Sequence, residues 1–426
     1  MNLKNIIKID LLNPLLFFML FQFVAFAIIP MFVENNTSWE NIKIDVYVTL
    51  SISFVCYWFG HILRCSNLKI RVFRIKPLIC SAKLNNILFL KMSFFVTVIF
   101  IGLQIVFRVM TNSLVLGDAG SVQSNILTTI LAYILMFFGM SHTGALFFSF
   151  LSILSMLILR ISGEYKWVVF TLVLYFILSI ITTQKSLLIL PVLVMIVSYH
   201  YLIKKISTKR IIAFVLLLPA LLLWAVISNY LRWAQMNNVT TTLYDAFNTI
   251  NFSDALDYFV MRFDFFLSAT YALNDKALYP GSYLDLLKSF LFFIPYNRLF
   301  GDGIFPVKFA QAYQVPGYEI GVGVTVPLVV DLFITYGHIA MILPCIFIGY
   351  FFSSLHQNLY GCKEIKSSTL FYLVLIPMAY ISSATIPLFE FNYNLLRNIL
   401  FTANYLFLLR IVYDFFRMLV IKRKNN

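Results

Sequence analysis

Three arginines lie beside aromatic or apolar residues within one long polar stretch, residues 231–325. They are Arg232, Arg262 and Arg298. A guanidinium keeps its proton and presents a planar fork that can hold phosphate oxygens through paired hydrogen bonds. Three of them at a membrane surface would suit a lipid-linked diphosphate. Each alone could equally pair with a nearby carboxylate such as Asp264, or bind a lipid headgroup.

Groups that could accept a proton lie in and just beyond the same stretch. Asp331 is placed a short way inside an apolar run, where a carboxylate is costly and by default functional. Its alternative role is to pair with one of the arginines. His338 lies a turn or two deeper, where a lone histidine is more often structural. Asp264, Asp331 and His338 are therefore three candidate bases, and the sequence does not choose among them.

Composition places these groups in a membrane protein. The chain is 61% hydrophobic and 12% charged, with a mean hydropathy of +0.87, and it contains repeated apolar runs of about 20 residues. The fold class predicted is an all-α polytopic integral membrane protein. The net charge of +14 lies in short loops between apolar runs, which indicates orientation in the membrane rather than a nucleic-acid partner. The five cysteines suggest neither a disulfide frame nor a metal site.

The apolar runs predict about ten transmembrane helices (10–12) with both termini in the cytosol. Two basic loops, Arg64–Asn85 and the loop around Lys204–Arg210, fix the cytosolic side. An odd number of crossings is expected for the ambiguous run Ile126–Leu159, so that both loops face the cytosol. The predicted spans are Leu11–Val33, Val46–Leu63, Ile87–Val109, Ile126–Leu159, Val168–Ile181, Leu187–Ile203, Ile211–Ser228, Val326–Phe352, Leu370–Leu388 and Leu395–Phe416.

The chain thus divides into residues 1–230, an N-terminal transmembrane bundle, residues 231–325, one large external loop, and residues 326–426, the C-terminal transmembrane helices. The loop is rich in aromatic residues, which favours a folded, partly helical cap over the ends of the helices. Ser282–Ile294 is expected to form an amphipathic helix at the membrane surface, and Phe263–Leu273 a second helix. Lys185, in a short break between two spans, is a further cation near this face, or a residue that extends to the interface.

The order of these features resembles the Wzy-type O-antigen polymerases. That family has many short spans, one large late external loop, an Ile-Pro-Arg-like element, a glycine-rich stretch, and an acidic residue shortly before an aromatic-Gly pair. The matching positions here are Thr183-Gln184-Lys185-Ser186, Ile294-Pro295-Tyr296-Asn297-Arg298, Lys308, Gly321, Gly323, Asp331, Tyr336-Gly337 and Gly349.

The resemblance implies a glycosyltransferase of the bacterial inner membrane with its large loop in the periplasm. Such an enzyme joins undecaprenyl-diphosphate-linked oligosaccharide repeat units and releases undecaprenyl diphosphate, with no metal or other cofactor. Arg262 and Arg298 would hold the donor diphosphate, and Arg232 would assist or hold the acceptor diphosphate. Lys185 and Lys308 would add to the diphosphate site. Membrane lipids, a chain-length regulator and a flippase of the same pathway would be its partners.

Two other functions remain open. An O-antigen ligase has a similar architecture and differs in its acceptor, and His338 would then be the favoured base. A flippase for lipid-linked repeat units would favour evenly spaced helices, charges within spans and a two-fold repeat. The sequence has few charges within its predicted spans and no visible repeat, which ranks the flippase lower.

Overall fold

The computed structural model describes residues 12–24, 37–66, 84–110, 145–182, 186–207, 242–249, 265–294, 305–314, 326–360, 368–376 and 387–425, with isolated positions mostly between 210 and 234. Within these ranges the regular structure is helical and contains no strand. The helices are α1 Pro14–Phe23, α2 Thr37–Cys65, α3 Ile87–Met110, α4 Ala145–Ser162, α5 Lys166–Thr182, α6 Ser186–Leu202, α7 Leu243–Thr249, α8 Phe265–Asn274, α9 Tyr283–Ser289, α10 Phe305–Ala312, α11 Leu328–Ala340, α12 Ile342–Leu359 and α13 Leu388–Asn425. A 3₁₀ turn, Lys276–Leu278, lies between α8 and α9, and residues 368–376 are also helical.

Several of the described helices are suited to a lipid bilayer. Three contain a segment long and apolar enough to cross one: Ile44–Cys65, Ile87–Val106 and Leu388–Met418. Helices α11 and α12 qualify as a fourth span only when they are taken together, and they are bent by 115° at the break between them. The protein is therefore a helical membrane protein. The expected total of about ten spans stays a prediction, since runs such as Ile211–Ser228 lie largely outside the described residues.

Three predicted elements differ from the observed ones. The expected single span Val326–Phe352 is broken, with Gly337 at φ +73°, a conformation that costs glycine little and other residues more. Helix α13 is continuous from Leu388 to Asn425, so it extends beyond the predicted span Leu395–Phe416 at both ends. The predicted helix Ser282–Ile294 ends earlier, at Ser289, and continues as turns.

The chain forms two compact units. One comprises Phe73–Tyr258, Asn358–Pro377 and Asn398–Asn426, and its centre is α4. This helix is buried on all sides from Phe147 to Leu159, as expected for an apolar helix surrounded by others.

One end of this unit carries a charged cluster. Glu164, in the α4–α5 turn, lies 3.2 Å from Lys91 Nζ and 3.1 Å from Lys166 Nζ. The indole N–H of Trp167 donates to the same carboxylate at 2.7 Å. The hydrogen bond from Trp167, then those from the two lysines, lower the pKa of Glu164 to about 2. The start of α3 and the end of α4 therefore lie at the same end of the unit, as an odd number of crossings in Ile126–Leu159 would require.

The other unit comprises Met1–Val72, Phe259–Gln357 and Met378–Arg397. Its α2 and α12 pack side by side through three polar contacts, spaced eight and then four residues along each helix. Each contact joins residues separated by 292 positions: Ser53 with Cys345 at 3.7 Å, His61 with Ser353 at 2.9 Å, and Cys65 with Gln357 at 3.2 Å. Because both residue numbers rise together along this ladder, α2 and α12 run parallel.

Two glycines bring these helices to backbone contact. A Cβ on Gly349 would lie 2.2 Å from the carbonyl oxygen of Tyr57, and one on Gly60 would lie 2.2 Å from that of Ile346. Small residues permit such close approach between membrane helices. The close contact between α2 and α12 therefore requires glycine at both positions, in addition to the polar contacts.

Candidate functional site

Asp331 is the best-defined of the predicted site residues. It lies on α11, its side chain is 2% exposed, and three donors reach its carboxylate. Oδ1 accepts hydrogen bonds from the Tyr279 hydroxyl and, at 3.3 Å, from the Thr335 hydroxyl. Oδ2 accepts from the backbone N–H of Leu388 at 2.7 Å. A carboxylate has about four acceptor positions, and the donors of the described residues occupy three of them.

The contact with Leu388 joins Asp331 to the beginning of another helix. Leu388 is the first residue of α13, where backbone N–H groups have no partner within the helix. A carboxylate at this end also interacts favourably with the helix dipole. Asp331 thus acts as an N-terminal cap supplied by a different helix, and it fixes α11 against α13.

Tyr279 belongs to the long polar interval, just after the 3₁₀ turn Lys276–Leu278. This turn is itself capped by Asp275, whose carboxylate accepts from the N–H of Ala277 at 3.2 Å. The Tyr279 ring packs edge-on against Phe309 of α10, 6.3 Å between centroids. Burial, followed by the charge of Asp331, raises the pKa of the Tyr279 phenol. Tyr279 therefore keeps its proton and acts as a donor to Asp331.

Two further hydrogen bonds attach the interval to α13. The side-chain amide of Asn392 donates to Ser289 Oγ, and the Tyr393 hydroxyl donates to the carbonyl oxygen of Ile294 at 2.6 Å. The segment 265–294 is therefore held against α11 and α13 by side chains of both helices. This agrees with a folded cap, while its external location stays a prediction.

Helix α9 has the amphipathic character expected from the sequence. Asp285 accepts from the backbone N–H of Ser282 at 3.0 Å, which caps the helix, and forms an ion pair with Lys288 at 3.3 Å. Tyr283 and Leu287 on the same helix are each more than 60% exposed. Exposed apolar side chains next to charged ones are typical of a helix at a membrane surface.

His338 has different surroundings from Asp331, although both belong to α11. Its Nε2 lies 3.4 Å from the Thr49 hydroxyl on α2, and its ring is 4.3 Å from that of Phe333. Gly337, with its positive φ, separates His338 from the regular part of the helix that carries Asp331. The structure therefore does not bring these two candidate bases onto a common partner.

The remaining predicted residues are only partly visible. Lys308 lies on α10, next to the Phe309 that contacts Tyr279. The others lie outside the described residues: Arg232, Arg262, Asp264, Arg298 and Lys185.

The structure adds two charged residues that the sequence analysis missed, Glu390 and Arg397 on α13. The Oε2 atom of Glu390 and the Nε atom of Arg397 are buried and have no hydrogen-bond partner. Glu390 was missed because it lies between the predicted spans Leu370–Leu388 and Leu395–Phe416, and Arg397 because it lies near the start of the second span. The available signal was their spacing, since residues seven apart lie on one face of a helix.

Among the residues that the structure describes, no three His, Cys, Asp or Glu side chains are grouped so that they could hold a metal ion. Cys56, Cys65 and Cys345 are free thiols. No protein-family model, curated protein or solved structure matches this chain.

Proposed function

We propose that this protein is a membrane glycosyltransferase that polymerises lipid-diphosphate-linked oligosaccharide repeat units, in the manner of the Wzy-type O-antigen polymerases. The observation that carries the proposal is the buried Asp331 carboxylate, held between the polar interval and the N-terminus of α13. A carboxylate in this position is costly unless it is used. It also lies beside the interval that carries Arg262 and Arg298.

The proposed reaction transfers the growing chain to the next repeat unit. A hydroxyl oxygen of the acceptor attacks the anomeric carbon of the donor, and the bond from this carbon to the diphosphate oxygen breaks. The diphosphate leaves with the electron pair, and Arg262 and Arg298 stabilise its developing charge. The hydroxyl proton passes to a base. Asp331 is one candidate for this base, since the described donors occupy three of its roughly four acceptor positions. Asp264 and His338 remain the other candidates.

The test is complementation of a strain that lacks this protein, with the polysaccharide analysed as an electrophoretic ladder. Alanine at Arg262 or Arg298 should abolish long chains and leave single repeat units, while the protein still inserts into the membrane. Asp285→Asn is the matched control, because this carboxylate belongs to the same interval but serves α9 itself, as a cap and as the partner of Lys288. The control should give a normal ladder.

Normal ladders from both arginine variants would contradict the proposed diphosphate site. The strain itself separates the related functions. Loss of a polymerase leaves single repeat units on the acceptor core, loss of a ligase leaves bare core, and loss of a flippase blocks export. A deletion strain with bare core or blocked export would rule out polymerisation.

One observation favours the flippase as a second candidate. Helix α13 places Glu390 and Arg397 within an apolar span, whereas the sequence suggested few charges within spans. In addition, α11 and α12 are bent by 115° at the break between them. Broken helices and buried charges are common in transporters. In vesicles, a flippase would move lipid-linked units across the bilayer without lengthening their glycans.

A further inference from the structure

Glu390 and Arg397 lie on one face of α13, where their opposite charges attract each other without forming a close ion pair. They are seven residues apart, which is about two turns and roughly 10 Å along the helix axis. Each has one buried polar atom that finds no hydrogen-bond partner among the described residues, Oε2 of Glu390 and Nε of Arg397. A buried polar atom without a hydrogen-bond partner is unfavourable. A ligand that supplies hydrogen bonds to these two atoms would therefore bind favourably here.

The position of Arg397 relates it to the interval. Its guanidinium carbon lies 5.4 Å from the centroid of the Tyr393 ring, and the Tyr393 hydroxyl donates to Ile294. Arg397 is therefore next to the segment of the interval that ends at Ile294, four residues before Arg298 in the sequence.

Glu390 lies at the other end of this face, near Asp331. It is two residues beyond Leu388, whose N–H binds the Asp331 carboxylate. The Glu390 carboxylate is attracted by Arg397 and, more weakly, repelled by Asp331. An anionic group is thus disfavoured at this end and favoured at Arg397. The Glu390 Oε2 atom accepts no hydrogen bond among the described residues, so it could accept one from a hydroxyl group of a ligand.

We propose that this face of α13 binds a phosphorylated glycolipid, with Arg397 on a phosphate oxygen and Glu390 accepting a hydrogen bond from a sugar hydroxyl. This inference rests on the proposed function for its substrate, because it adds a cation and a hydroxyl acceptor to that same site. The phosphate chemistry itself is shared by two sources, a polyprenyl diphosphate carrier and an ordinary phospholipid headgroup.

The experiment measures binding of undecaprenyl diphosphate and of phosphatidylglycerol to the purified full-length protein by native mass spectrometry. Arg397→Met should weaken binding by at least about tenfold, as expected for loss of one charge-assisted hydrogen bond. The apolar replacement of similar length should leave the melting temperature unchanged or raised. Arg397→Lys is the second variant, for use if Arg397→Met fails to fold. It keeps the charge and should retain part of the affinity.

Arg410→Met is the matched control. This arginine is on the same helix but is half exposed and pairs with Asp414 at 3.8 Å. Its loss should change binding less than about twofold. If Arg397→Met loses undecaprenyl diphosphate alone, the ligand is the carrier. If it loses both lipids equally, the site binds phosphate without selecting the carrier, which overturns the assignment to a glycolipid. Unchanged binding of both lipids would overturn the proposal.

Glu390→Gln tests the sugar end of the site. Wild-type protein should prefer undecaprenyl diphosphate carrying a monosaccharide over the bare lipid, and the variant should lose this preference while binding the bare lipid normally. An unchanged preference would refute the role of Glu390.

The ladder assay separates this inference from the proposed function. Normal ladders and normal binding with Arg397→Met would overturn the site while polymerisation stands. Binding that depends on Arg397 in a protein without polymerase activity would leave the anion site standing alone.

Discussion

Replacing Gly349 by alanine tests the backbone contact between α2 and α12. The new Cβ would lie 2.2 Å from the Tyr57 carbonyl oxygen, whereas ordinary contacts begin near 3.4 Å. The two helices must therefore separate by about 1 Å, because the obstacle is backbone and cannot rotate away. In Gly60→Ala the new Cβ would likewise lie 2.2 Å from a backbone oxygen of the other helix, the carbonyl oxygen of Ile346.

The expected cost follows from this overlap. Overpacking of a well-packed core lowers the free energy of unfolding by about 1–3 kcal/mol. Because each new methyl group meets the backbone of the other helix, each variant should be near the upper end of this range. Gly102→Ala on α3 is the matched control, since a Cβ there meets nothing within 4 Å. Alanine is favoured over glycine in a helix by up to about 1 kcal/mol, so the control should be neutral or slightly stabilised.

The assay is reversible unfolding of purified protein in mixed detergent micelles, with the free energy of unfolding as the readout. Gly60→Ala and Gly349→Ala should each lose about 3 kcal/mol. The double variant should lose little more than either one, because a single separation of the helices accommodates both methyl groups. A Gly349 variant as stable as the Gly102 control, or fully additive losses, would refute the contact.

Three further predictions concern other contacts. Asp331→Asn turns one acceptor into an NH₂ group facing a donor, so it should lower the free energy of unfolding by about 1–3 kcal/mol in the same assay. Ser53→Cys should form a disulfide with Cys345 on mild oxidation, since the present Oγ–Sγ distance is 3.7 Å, whereas Val55→Cys, 70% exposed on the same helix, should not. The folded-state pKa of Glu164 is depressed, so the contribution of this carboxylate to stability is present above about pH 4.5 and is lost as the pH falls toward 2. Glu164→Gln should abolish this part of the pH dependence of the melting temperature. An unchanged profile would contradict the prediction.

Helix positions were predictable where apolar runs are uninterrupted, as for α3, whose start at Ile87 was expected. The broken α11–α12 pair was not predictable, since the break depends on the positive φ of Gly337, and hydropathy does not register φ. Asp331 was identified from its position in an apolar run, but its contact with Leu388, 57 residues away, was not. The arginines considered as its alternative partners lie outside the described residues. Such contacts depend on tertiary packing, which no local pattern encodes.

The ladder between α2 and α12 has a consequence for how the protein is made. Its partners are separated by 292 residues, so α2 enters the bilayer well before α12 exists. At about 5–20 residues per second, synthesis of the intervening chain takes roughly 15–60 s. During that time Ser53 can keep its hydrogen bond to the Thr49 carbonyl oxygen within α2, whereas His61 lacks Ser353 and needs a temporary partner such as a lipid headgroup, water or an insertion chaperone. Biogenesis, more than the finished fold, is therefore the stage at which changes in α12 should expose the chain to quality-control proteolysis.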